Sequence, residues 1–193
     1  YGDLVEIASS MEEIATMIER LSLIGKKIAL KVSCERPFDI VRDVVRRVIY
    51  SIRPDVQINI IDNNRDNLKI RVNRELVEEA LFKILYKIAC SIDKGNVDIE
   101  IRSCLTGEIL GNIPDGDIGS EYLCITITDP SRIITREDIE GASGSFYTLK
   151  GNTEQSSLIM TVAISIVRIM DGMVFLKEDR GIQSVHIVFP VAG

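Results

Sequence analysis

Two hydrophobic periods alternate along the chain between Pro37 and Pro190, and this alternation constrains the fold more than any other feature. Apolar residues recur on one side of three helical stretches, at 40–52, 77–92 and 159–170. Strands in which apolar and polar residues alternate lie between and after them, at 56–60, 68–72, 97–101, 123–127, 173–177 and 184–189. This order predicts an α+β fold in which helices cover one face of a mixed sheet, a two-layer α/β sandwich.

Short polar signals mark where several helices begin. Asp39, after Pro37, is the candidate N-cap of the first helix, and Asn73 is the candidate cap of the second. The segment Thr135-Arg136-Glu137-Asp138 has the form of a capping box and predicts an additional short helix. In each case the polar side chain would satisfy backbone N–H groups that the first helical turn leaves without partners.

Residues 3–24 carry a narrower apolar stripe. Its members recur at alternating spacings of three and four: Leu4, Ile7, Met11, Ile14, Ile18 and Leu21. This is the a/d seam of a coiled coil or a four-helix bundle, and it predicts packing against an upstream helix, a second subunit, or both. The alternative is a helix that packs flat on the domain that follows. We divide the chain into a bundle helix with its linker, 1–35, and an α/β domain, 36–193.

Composition excludes several classes of function. The chain has 29 Asp and Glu against 23 Lys and Arg, a net charge of −6, which argues against a nucleic-acid partner. No apolar run approaches the roughly 20 residues of a membrane-spanning helix, so no membrane partner is expected. The four cysteines form no C-x-x-C pair and have no neighbouring histidine, so no metal site is predicted: Cys34, Cys90, Cys104 and Cys124. Free thiols indicate a reducing compartment, and we expect a cytoplasmic protein.

The order of elements from Asn73 onward resembles the catalytic half of the histidine kinases, which belong to the Bergerat-fold ATPases. The resemblance rests on the helix 77–92, on Asp129 after a strand, and on Asp171-Gly172 followed by two strands that end at Phe189-Pro190. It implies that Lys83 and Lys87 occupy the two positions of the family's asparagine box. It also implies that Asp129 takes the place of the acidic residue that binds the adenine amino group.

The departures from the family pattern indicate that no nucleotide is bound. A lysine ammonium has no lone pair with which to coordinate magnesium, and it repels the cation. Ile133 and Ile159 place branched side chains at positions where the family has glycine. Asp129 has the alternative role of capping its own loop, and the two lysines have the alternative role of a solvated helix face. We therefore expect no cofactor, no metal and no ATP site.

A closer resemblance is to the ChpT-type histidine phosphotransferases, dimeric relay proteins with a kinase-like architecture and no ATP site. It is carried along the whole chain by short segments at 7–10, 38–39, 52–55, 94–97 and 171–190. It implies a homodimer through the helical bundle, with the receiver domain of a hybrid sensor kinase and response regulators as partners. It also places the phospho-acceptor histidine on a helix upstream of Tyr1, so the catalytic residue is unknown in this sequence.

The one histidine within the chain is His186, in the last strand. Val185, Ile187 and Phe189 share the opposite face of that strand, so we interpret His186 as a polar residue on an edge-like strand and not as the transfer imidazole. Two other functions stay open at this point. One is the C-terminal core of a sensor histidine kinase or pseudokinase, and the other is a non-catalytic dimeric adaptor.

Overall fold

The helices of the domain begin where polar side chains or proline favour them, and they all lie on one side of the sheet. The computed structural model describes residues 31–64, 66–105, 121–141 and 155–192. Helix α1 spans Pro37–Ile49, α2 spans Arg74–Cys90, α3 spans Arg136–Gly141 and α4 spans Gln155–Ile169. The predicted helix at Asp3–Ile24 lies outside the described residues, and the proposed boundary between residues 35 and 36 stays a prediction.

The main sheet has five strands. These are β2 (Val56–Asn63), β4 (Gly95–Leu105), β5 (Glu121–Asp129), β6 (Met173–Asp179) and β7 (Ile182–Pro190), in the spatial order β2-β4-β5-β7-β6. The pair β2 and β4 is parallel, and the other neighbours are antiparallel. Two short strands, β1 (Ser33–Glu35) and β3 (Ile70–Val72), form a separate antiparallel ladder. The predicted α+β sandwich with a mixed sheet is confirmed.

The core fills the space between the helices and the inner face of the sheet. Each long helix turns one apolar stripe inward, and the central strands contribute alternate residues, as their hydrophobic periods predict. The largest fully buried side chains include Ile40, Leu81, Ile84, Ile99, Ile125 and Phe189. Burying one such side chain contributes about 1.5–3 kcal/mol, so this layer supplies the main stabilisation of the domain.

The cap predictions have different outcomes. The Asn73 side chain accepts a hydrogen bond from the Leu76 N–H at 3.0 Å, which confirms it as the cap of α2. Thr135 Oγ1 accepts from the Asp138 N–H at 3.2 Å while Asp138 Oδ2 accepts from the Thr135 N–H at 2.9 Å, which confirms the capping box. The cap assigned to Asp39 is wrong: α1 already begins at Pro37, because proline fixes the backbone for a first helical position. Asp39 lies in the first turn instead.

Within the described residues, none of the helices combines the length and the apolar character needed to cross a bilayer.

Candidate functional site

The carboxylate of Asp129 is the group that the sequence resemblance assigns to the adenine-binding position. Asp129 is the last residue of β5 and is fully buried. Its Oδ1 accepts hydrogen bonds from Ser131 Oγ at 3.0 Å and from the Ile133 N–H at 3.2 Å. Its Oδ2 accepts from the Ile134 N–H at 2.9 Å and from Gln183 Nε2 at 3.0 Å. The loop after β5 is therefore folded around this carboxylate.

These four hydrogen bonds use the acceptor capacity of the carboxylate, which has about four lone-pair sites. An adenine amino group would need one of those sites, and none is free without breaking a bond within the protein. Gln183 also donates to the Ile134 carbonyl at 2.7 Å, so its amide is fixed in place beside Asp129. Asp129 thus fits the loop-capping role.

The second feature of the region is an ion pair between α2 and α3. Lys87 Nζ lies 3.3 Å from Asp138 Oδ2, and the side chains are only 13% and 7% exposed. Asp138 Oδ2 also accepts from Thr135 Oγ1 at 3.1 Å. The alternative of a solvated helix face is wrong for Lys87, because a residue 51 positions away in sequence covers it. Lys83, one turn earlier, pairs at 3.2 Å with Glu79, a half-exposed neighbour on its own helix.

A third contact lies at the end of α2. The hydroxyl groups of Ser91 and Ser131 are in direct hydrogen-bond contact, and Ser91 Oγ also lies 2.6 Å from the Ile88 carbonyl oxygen. The two contacts from α2 therefore reach the loop and the short helix that follow Asp129. Together they join α2 to the 129–138 segment.

The two isoleucines that the resemblance assigns to glycine positions are partly exposed. Ile133 is 37% exposed and Ile159 is 45% exposed. Between Asp129 and Ile133 the backbone of Arg132 has a φ of 55°, a left-handed conformation that glycine adopts without strain and other residues seldom do. The loop thus keeps a backbone turn suited to glycine while carrying bulky side chains.

An apolar cavity of 10 Å³ lies between α1, α2 and the sheet, and its lining includes Val41, Leu85 and Ile127. That volume is about one water molecule. Among the described residues, no group of three or more His, Cys, Asp or Glu side chains is arranged to hold a metal ion.

His186 lies on the other face of the sheet. The interpretation of its strand as edge-like is wrong: β7 lies between β5 and β6, and His186 is only 8% exposed. Its ring stacks on Phe175, with centroids 5.0 Å apart, and its Nδ1 lies 3.6 Å from the sulfur of Cys124. The sequence analysis missed this cluster, although the strand alternation places Cys124 and Thr126 on one face of β5. The strand order that brings His186 beside them has no local signal.

The chain has the fold of the histidine kinase ATP-binding domains. No protein-family model matches it, and neither does any curated protein. The solved structures it matches include the histidine kinase AdeS of Acinetobacter baumannii, with a TM-score of 0.61, 12% identity, and coverage of 99% of this chain and 82% of AdeS. The catalytic domain of histidine kinase ThkA matches with a TM-score of 0.55 at 14% identity, over 83% of this chain and 97% of that domain. Full-length ShkA, solved in complex with AMPPNP, matches with a TM-score of 0.62 at 11% identity, over 99% of this chain and 38% of ShkA.

Proposed function

We propose that this chain is a histidine phosphotransferase of a multistep phosphorelay, with a kinase-like domain that serves as a scaffold and binds no ATP. The observation that carries the proposal is the saturated carboxylate of Asp129, whose four acceptor sites are used by its own loop and by Gln183. The buried pair between Lys87 and Asp138 supports it, because the resemblance assigns Lys87 to the position of a magnesium ligand and an ammonium group cannot serve as one. A nucleotide would have to break both arrangements.

The chemistry of a relay requires little of the scaffold. A histidine attacks the aspartyl phosphate of one receiver domain and then donates the phosphoryl group to an aspartate of another. The receivers supply the magnesium ion and the acidic pocket. Under this proposal the acceptor imidazole belongs to a bundle helix that precedes Tyr1, residues 1–35 form a homodimer, and the protein acts in the cytoplasm. The partners are the receiver domain of a hybrid sensor kinase and downstream response regulators.

His186 does not fit the transfer role. A phospho-acceptor imidazole must reach the aspartate of a docked receiver, whereas His186 is 8% exposed and its Nε2 lies 3.0 Å from Ser184 Oγ. Attack on a partner's phosphate from this position would require the side chains packed around His186 to move.

The first test is a thermal unfolding experiment with and without 1 mM magnesium-ATP. A site with a dissociation constant of about 10 µM would stabilise the fold by about 2.7 kcal/mol, which raises the midpoint by roughly 5–10 °C for a chain of this size. We expect no shift. ShkA, which was solved with AMPPNP, serves as the positive control with that analogue. A shift of several degrees in this chain would refute the proposal and favour a divergent kinase.

The second test is phosphotransfer to the full-length protein from a phosphorylated receiver domain. We expect acid-labile phosphate on a histidine upstream of Tyr1, and the same yield in a His186→Asn variant. Phosphate mapped to His186, or none on the protein, would contradict the proposal. The second of these outcomes, combined with stable binding of the receiver, would indicate a non-catalytic dimeric adaptor.

The core of a sensor histidine kinase is the second candidate. It is favoured by the match to AdeS over 99% of this chain. The two candidates differ in nucleotide binding, so the magnesium-ATP experiment separates them.

A further inference from the structure

The outer face of the sheet, opposite the helices, carries a buried cluster of two thiols, an imidazole and two hydroxyl groups. Cys124 and Thr126 lie on β5, and His186 lies directly across from Thr126 on β7. Cys104 on β4 and Cys124 are 2% and 1% exposed, and they pack with Val188. None of these residues takes part in the proposed phosphotransfer.

The position of the ring places Nδ1 of His186 beside the thiol. Ser184 Oγ lies 3.3 Å from the Lys177 carbonyl oxygen, to which it can donate, and 3.0 Å from His186 Nε2. When Ser184 donates to that carbonyl, Nε2 carries the ring hydrogen and donates to Ser184. The nitrogen left as an acceptor in the neutral ring is Nδ1, which lies 3.6 Å from the Cys124 sulfur. His186 is therefore oriented to take the proton of Cys124, the arrangement of a thiol and its base.

Thr126 and Cys104 complete the surroundings of the Cys124 sulfur. Thr126 Oγ1 lies 3.5 Å from it and 3.3 Å from His186 Nδ1. The hydrogen bond with Cys104 lowers the pKa of the Cys124 thiol to about 5 against the opposing effect of burial, and the hydrogen bonds with His186 and Thr126 add to the lowering. Two charged residues of β4 lie across the ladder from Cys124 and Thr126. Arg102 is opposite Cys124, and Glu100 is opposite Thr126.

We propose that Cys124 and Cys104 form a peroxide-sensitive redox pair, in which Cys124 is oxidised first and Cys104 then closes a disulfide between β4 and β5. The Cys124 thiolate attacks one oxygen of hydrogen peroxide. An S–O bond forms, the O–O bond breaks, and the leaving hydroxide takes the proton of the His186 imidazolium to become water. The Cys104 sulfur then attacks the sulfenic sulfur; an S–S bond forms, and the hydroxyl leaves as water with the Cys104 proton. Sulfur loses two electrons to the peroxide.

The position of the pair in the sheet determines what the disulfide would do. Cys104 lies opposite Tyr122 and Cys124 opposite Arg102, so the two cysteines are diagonal neighbours. Such neighbours are about 7–8 Å apart between Cα atoms in a regular sheet, slightly more than a disulfide spans. Cys104 is one residue from the end of the ladder, where Leu105 pairs with Glu121 and is 55% exposed. Under the proposal, this end of the ladder must move to admit the small oxidant and to let the bond close.

The test is oxidation of the intact chain by hydrogen peroxide at pH 5.5, followed by alkylation and peptide mapping. At that pH a thiol with a pKa of about 5 is roughly three-quarters thiolate, and a free thiol with a pKa of about 8.5 is about 0.1% thiolate. The more acidic thiolate is the weaker nucleophile, which reduces the advantage in reaction rate that its larger thiolate fraction gives by about 40-fold. We therefore expect Cys124 to react faster in the folded protein than in the same protein unfolded in urea, by up to about 20-fold, because burial of the thiol slows the access of peroxide.

The exposed thiols Cys34 and Cys90 are internal controls for access. We expect a Cys104–Cys124 linkage while these two stay reduced, a dimedone adduct on Cys124 in the Cys104→Ser variant, and oxidation of Cys124 at least about tenfold slower in His186→Asn. Oxidation of Cys34 and Cys90 with Cys104 and Cys124 left reduced would overturn the proposal. The comparison of the four cysteines within the wild-type protein tests the proposal even if a variant fails to fold. Its outcome does not depend on whether the protein transfers phosphate.

Discussion

The buried ion pair between Lys87 and Asp138 leads to a quantitative prediction about the stability of the domain. In the variant Lys87→Met a side chain of similar length loses its charge, and Asp138, which is 6% exposed as a whole residue, loses its ammonium partner. Removal of one member of a buried pair costs about 3–5 kcal/mol. Asp138 keeps its hydrogen bonds from the Thr135 N–H and hydroxyl at 2.9 and 3.1 Å, so we expect the lower end, about 3 kcal/mol.

The measurement is urea-induced unfolding followed by far-UV circular dichroism. Lys83→Met is the matched control, because Lys83 lies one turn earlier and pairs at 3.2 Å with Glu79, whose side chain is 41% exposed. The Lys83 side chain is 21% exposed, and a partly exposed i,i+4 helix pair of this kind contributes about 0.3–0.5 kcal/mol. In thermal unfolding the loss at Lys87 corresponds to a midpoint roughly 6–12 °C lower.

The double variant Lys87→Met with Asp138→Asn removes both charges. It should recover at least about 1 kcal/mol of the stability lost in the single variant, because no uncompensated charge stays buried. If Lys87→Met lowers the free energy of unfolding no more than Lys83→Met does, the Lys87–Asp138 pair does not join α2 to α3 in the way we infer.

Three further predictions concern single residues. Asp129→Ala should lower the free energy of unfolding by about 3 kcal/mol or more, since it leaves buried donors without an acceptor; a loss below 1 kcal/mol in urea titration would contradict the loop-capping role. Gly172→Ala should lower the free energy of unfolding by at least about 2 kcal/mol, since a Cβ there would lie 2.8 Å from the Phe189 ring. The control Gly181→Ala meets no atom within 4 Å and should lower it by only about 1 kcal/mol, through its φ of +82°. Equal losses in the two variants would refute this contrast. The folded-state pKa of Cys124 is lowered from 9.0 to about 5, so its thiolate stabilises the fold fully above pH 9 and loses that contribution as the pH falls towards 5. The free energy of unfolding of wild type minus that of Cys124→Ser should therefore decline as the pH is lowered from 9 to 5. A difference that stays constant over this interval would contradict the prediction.

The parts of the fold that the sequence predicted are those governed by near neighbours in the chain. Asn73 caps α2 through a residue three positions away, and Thr135 with Asp138 closes a capping box within one turn. The strand alternation was likewise readable, because side chains on successive residues point to opposite faces. The Asp39 cap failed within the same range, because Pro37 starts the helix earlier than the acidic residue suggests.

The features that escaped prediction depend on partners far apart in sequence. Lys87 meets Asp138 across 51 residues, and His186 meets Cys124 across 62. Strand order decides both whether β7 is an edge and which side chains flank His186, and no local pattern encodes that order. Gln183 was not singled out for the same reason, although its amide fills one acceptor site of Asp129 across 54 residues.

The pattern of hydrogen bonds around Asp129 bears on why the domain would keep this fold without a nucleotide. If a ligand site had only lost its ligand, its buried polar groups would be left without partners, and each such group would cost about 1–3 kcal/mol. Here Asp129 has four donors, and Asp138 has Lys87 and Thr135. Satisfied buried polar networks make a structure rigid. The region therefore joins α2, the loop after β5 and α3 through polar groups that all have partners, which is the arrangement that the proposed scaffold would need.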